Sequence, residues 1–99
     1  MITFVRTAKT VPGKIGEAIV WAKEIGGVVK RVVGKDVVVA SAFGGVLGEL
    51  AWIIQYESAG QAEESLSKLM ADRDYGTLLK KAETLVVPAS GHDQLWRHV

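Results

Sequence analysis

Cysteine is absent from this chain. That absence excludes disulfides, thiolate metal sites and cysteine nucleophiles together, and it fits a reducing, cytoplasmic setting. Excess charge of one sign is lacking too, with 12 Lys and Arg against 11 Asp and Glu for a formal net charge of +1. Neutralising a nucleic-acid backbone requires a concentrated basic surface, and here the basic residues are scattered, so no nucleic acid is expected as a partner. The one local excess, Lys30, Arg31 and Lys35, surrounds a predicted helix C-terminus, where cations meet the negative end of the macrodipole. Long hydrophobic runs are also missing. The longest uncharged stretch, Val37 to Gly48, is broken by glycines and falls short of the roughly 20 residues that cross a bilayer, so no membrane span is predicted. Met1 leads straight into an alternating segment with no basic and then apolar leader, so no secretory signal is expected.

What is present is enough apolar material to fold. Hydrophobic residues make up 48% of 99 residues, which suits a single domain over 1–99. A chain this short leaves apolar surface that a second subunit can cover.

Ile2 to Ala8 alternates Ile2, Phe4 and Arg6 against Thr3, Val5 and Thr7, the period of a strand. After Pro12-Gly13 the apolar positions move to Ile15, Ala18, Ile19, Ala22, Ile25 and Val29, the spacing of an amphipathic helix that Gly34 ends. Gly26-Gly27 inside it predicts a kink or early fraying. Asp36 to Phe43 and Glu49 to Glu57 are β-branched runs joined by a glycine loop, a hairpin. The loop joins two strands and opens no helix, so it lacks the amide-rich terminus of a phosphate loop.

Ser58 and Gln61 have the spacing of a capping box and start a helix whose inward stripe is predicted to be Ala62, Leu66, Leu69 and Met70. The chain recaps near Asp72, and Tyr75, Leu78, Leu79 and Ala82 continue a helical stripe to about Thr84. Pro88 and Ser90-Gly91 break the pattern, and His92 to Val99 alternates as a last strand. The order β, α, β, β, α, β predicts an α+β, ferredoxin-like subunit with a four-stranded antiparallel sheet.

Both faces of the hairpin strands are suited to burial: Trp52 and Tyr56 share one face, Ala51 and Ile53 the other. Helices can cover only one side. A second copy of the sheet is the simplest cover for the other, making a homodimeric barrel.

The set Gly44-Gly45, Gly48-Glu49-Leu50-Ala51-Trp52, Asp74-Tyr75 with Leu78-Leu79-Lys80-Lys81-Ala82, and His92-Asp93-Gln94-Leu95 resembles the NIPSNAP-like group of the dimeric α/β-barrel superfamily. The resemblance implies a ferredoxin-like subunit and a homodimer, and little about activity, because the superfamily includes cofactor-independent monooxygenases, haem-degrading enzymes, isomerases and members without known chemistry. Haem-degrading members rely on an Asn-Trp-His set, and this chain contains no Asn at all.

No metal and no cofactor are expected. His92 and His98 are six strand residues apart, roughly 20 Å, so the two imidazoles cannot share one ion. No serine stands in a nucleophile motif. The aromatic and titratable set Trp21, Trp52, Tyr56, Tyr75, His92 and Trp96 is a candidate pocket for a small apolar or aromatic ligand, although the favoured reading is a set of core and interface aromatics with satisfied polar tips. His92 is the candidate proton carrier, since its ordinary pKa suits transfer near neutral pH. Two functions stand open: a ligand-binding or interaction module, or a cofactor-independent oxygenase or isomerase acting on an aromatic or polyketide-like molecule.

Overall fold

The alternation at the start of the chain becomes strand β1, Ile2–Lys9, in a computed structural model that describes residues 1–99. Helix α1 follows at Ile15–Val33, then β2 at Val38–Ser41, β3 at Glu49–Tyr56, α2 at Ala59–Met70, α3 at Arg73–Leu85 and β4 at His92–Arg97. The strands form one sheet in the order β2-β3-β1-β4, with every neighbouring pair antiparallel. The two longest strands, β1 and β3, lie at its centre, in register from Ile2 opposite Tyr56 to Lys9 opposite Glu49.

The helix signals act as the residue types demand. Gly34 closes α1 at φ 73°, a left-handed conformation that glycine adopts without a Cβ penalty, and its amide reaches back to the Lys30 carbonyl. At the start of α2 the Ser58 hydroxyl accepts from the Gln61 amide, while the Gln61 side chain accepts from the Glu57 amide. Asp72 caps α3 by accepting from the Tyr75 amide at 3.0 Å.

Three details depart from the sequence reading. Helix α1 runs unbroken through Gly26 and Gly27. A Cβ at Gly26 would stand 3.5 Å from Val37, an ordinary packing distance, so the helix rests against the segment leading into the second strand without a break. Strand β2 is shorter than Asp36 to Phe43, because pairing with β3 covers only Val38 to Ser41 before the chain turns through Gly45 and Gly48, both at positive φ. On α2 Ser65 and Leu69 are buried, whereas Met70 turns out to solvent and Leu66, though on the inward side, is exposed because no side chain packs over it there.

One sheet face carries all the helices. Trp21, Ala22 and Ile25 of α1 pack on Leu50, Trp52 and Ile54 of β3, and all six are buried. Trp52 meets Trp21 edge-to-face at 5.6 Å and 90°, a favoured arrangement of ring quadrupoles. Each indole N–H is satisfied, Trp21 by the Leu78 carbonyl at 2.8 Å and Trp52 by the Ala22 carbonyl at 3.1 Å. The opposite face has no helix. Val5 and Ile53 at its centre are only half-buried, and Val38 and Trp96 are exposed.

Candidate functional site

The helices do not close down on the sheet along its whole length. Between them lies a cavity of about 460 Å³, within the size range of small-molecule sites, and 18 of its 22 lining residues are hydrophobic. Its floor is the helix-bearing face of β1 and β3, with Phe4, Trp52, Ile54 and Tyr56. Its walls come from Trp21 and Ile25 of α1, Ala62 and Leu69 of α2, and Tyr75 of α3. Leu66, Leu79 and Leu95 also line it while remaining partly exposed to solvent, which marks the side on which it opens.

Four members of the aromatic set, Trp21, Trp52, Tyr56 and Tyr75, meet in this cavity. The other two do not. In the register of β1 with β4, Trp96 lies opposite Thr3 and His92 opposite Thr7, and these residues belong to the helix-free face. The chain enters the cavity lining at Gly91, but the His92 side chain alternates away from it. His98 is likewise remote: its Nε2 is 2.6 Å from the Thr3 hydroxyl, which donates to Gln55 at 2.7 Å. No three His, Asp or Glu side chains gather as a metal ligand set.

The polar chemistry of the cavity instead comes from Arg6. Its alternation with Ile2 and Phe4 puts a cation on the apolar face of β1, and the register brings Asp93 of β4 beside it. Arg6 Nε donates to Asp93 Oδ1 at 2.7 Å and Nη2 to Oδ2 at 2.9 Å, a bidentate pair. The hydrogen bond from Arg6 holds the Asp93 carboxyl below the ordinary carboxylate range, and the same bond raises Arg6 against the opposing cost of burial. Both groups therefore stay charged at neutral pH, and the pair contributes no net charge. Arg6 Nη1 is 3.4 Å from the Tyr75 hydroxyl. Tyr56, on the floor beneath, has its hydroxyl pushed above the usual phenol value by burial, so it stays protonated.

Sequence reasoning missed Arg6 as a site residue and singled out Asp93 only within the run His92-Asp93-Gln94-Leu95. A signal was present, because an arginine in phase with Ile2 and Phe4 needs a counter-charge on a neighbouring strand.

No protein-family model matches the chain, and no curated protein matches it. Solved structures do. An uncharacterised NIPSNAP domain protein from Burkholderia xenovorans is similar with a TM-score of 0.85 at 14% identity, over 100% of this chain and 95% of that one. A NIPSNAP family protein of unknown function from Agrobacterium tumefaciens gives 0.81 at 21% identity, over 97% and 86%. A candidate antibiotic biosynthesis monooxygenase from Deinococcus radiodurans gives 0.73 at 11% identity, over 100% and 93%. The likeness establishes a ferredoxin-like fold with a four-stranded antiparallel sheet. The NIPSNAP proteins among these neighbours agree with the resemblance read from the residues.

Proposed function

We propose that this chain is a homodimeric small-molecule-binding module that holds an apolar or aromatic ligand between its sheet and its helices. The observation that carries this reading is the 460 Å³ cavity, lined almost wholly by apolar side chains. It has room for on the order of fifteen water-sized groups. An apolar space of that size, open to solvent along three leucines, gains free energy when a hydrophobic molecule replaces weakly held water. The homodimer uses the helix-free face, where Val5, Ile53 and Val38 would otherwise stay in contact with water.

The test is direct. The neutral fluorophore N-phenyl-1-naphthylamine is expected to bind with enhanced emission at one molecule per subunit. Ala62→Trp, which pushes an indole from α2 into the cavity, is expected to weaken binding by at least about tenfold, a change of roughly 1.4 kcal/mol. A wild-type protein that does not bind the fluorophore, or an Ala62→Trp variant that binds it unchanged, sinks the reading.

A second reading, a cofactor-independent oxygenase or isomerase, draws on Arg6 and Tyr75 in the cavity and on the monooxygenase name carried by one structural neighbour. His92 was its proton carrier in the sequence reading. With its side chain on the far face, His92→Ala is expected to leave fluorophore affinity within about twofold, since it removes no cavity contact. A loss beyond tenfold in the intact dimer would return His92 to the site.

A further inference from the structure

Resting on the ligand-binding reading above, a narrower conclusion follows from the polar end of the cavity. Asp93 occupies Arg6 Nε and Nη2, which leaves Nη1 with one long contact, 3.4 Å to the Tyr75 oxygen. That distance is beyond the range of a good N–H···O bond. Tyr75 is buried, yet its hydroxyl proton has no protein acceptor. Two donors, the Arg6 Nη1–H and the Tyr75 O–H, thus stand together at the wall of an apolar cavity and lack only an acceptor. Donors paired in this way suit an oxygen that can take two hydrogen bonds.

Charge decides which oxygen. Arg6 and Asp93 cancel, and the other acidic or basic side chain in the lining is Glu63 of α2, which takes part in no ion pair and offers a ligand anion no cation. Lys35, 6.0 Å over the Tyr56 ring, is outside the lining. A ligand carboxylate would therefore enter an apolar space with no uncompensated cation to meet it, at a large desolvation cost. A neutral carbonyl pays far less to leave water and still accepts both donors. A hydrocarbon leaves the donors unmet.

We propose that the Arg6–Asp93 pair and Tyr75 make this cavity select neutral apolar ligands carrying a carbonyl group, over hydrocarbons of the same shape and over carboxylates. Three probes on one carbon frame separate the cases: 2-acetonaphthone, 2-isopropenylnaphthalene and 2-naphthoate, each titrated calorimetrically into the protein. The ketone is expected to bind at least about tenfold more tightly than either of the others. In Tyr75→Phe, and independently in Arg6→Gln, the ketone-to-hydrocarbon ratio is expected to fall toward one. If hydrocarbon and ketone bind alike to the wild type, or if either variant keeps the wild-type ratio, the carbonyl selection is wrong and the cavity remains a site for apolar ligands. Tighter binding of naphthoate overturns the charge argument alone. If none of the three binds, the cavity reading itself fails and this inference falls with it.

Discussion

Replacing Trp52 by alanine is expected to destabilise the subunit by about 3–5 kcal/mol, read as a fall in the midpoint of urea unfolding with little change in slope. Three separate interactions end together in that variant. The indole is almost fully buried on a central strand. It stacks edge-on against Trp21, and it donates to the Ala22 carbonyl of α1, tying the helix to the sheet through a hydrogen bond as well as through packing. Its removal also enlarges a cavity that already exists beside it, so neighbouring side chains have little incentive to collapse into the gap. Against a total stability of roughly 5–15 kcal/mol, a loss of this size leaves the variant near the edge of folding. Trp52→Phe separates the contributions, because it keeps a ring against Trp21 and gives up the N–H; a loss of about 1 kcal/mol is expected from the missing hydrogen bond. If Trp52→Ala unfolds at the wild-type midpoint, the sheet-to-helix core is not where the subunit's stability lies.

Local chemistry was legible in the sequence wherever it acts over a few residues. Ser58 with Gln61, Asp72 before Tyr75 and Gly34 after Val33 announce helix ends because each satisfies backbone groups within one turn. The strand alternations were legible for the same reason, and the order of elements followed from them. What depends on which strands adjoin was not. Trp96 and His92 share a face of β4, as Trp52 and Tyr56 share a face of β3, but alternation within each strand does not say whether the two faces coincide. The register across β1 decides, putting Trp52 and Asp93 opposite Arg6 on one side and Trp96 opposite Thr3 on the other. The Arg6–Asp93 pair was hidden in the same way, since 87 positions separate its members. Leu66 shows the converse, being in phase for the core yet half out of it, because α2 borders a cavity there instead of packed side chains.

Ile53→Lys is expected to convert the proposed dimer to monomers while leaving the subunit fold intact. Ile53 lies on the helix-free face of β3, opposite Val5 of β1 and Val38 of β2, so these three form an apolar strip across the sheet. The Thr3 hydroxyl hydrogen-bonds with both Gln55 and His98 at one end of the strip, giving it a polar border of the kind that rims protein interfaces. In a symmetric pairing each face meets its own copy, so one substitution puts two lysines into the contact. Burying an unpaired ammonium costs several kcal/mol, and two of them raise the dissociation constant by more than about a thousandfold at roughly 1.4 kcal/mol per factor of ten. In the separated subunit the same lysine meets water, so circular dichroism and fluorophore binding at the cavity on the other face are expected to persist. Ile53→Val is the graded control: it removes one methylene per subunit, about 0.8 kcal/mol each, and is expected to weaken association by roughly tenfold without abolishing it. Light scattering at micromolar concentration reads all three proteins. A wild type that scatters as a monomer, or an Ile53→Lys variant that remains a dimer, would mean that the helix-free face is not where two copies meet.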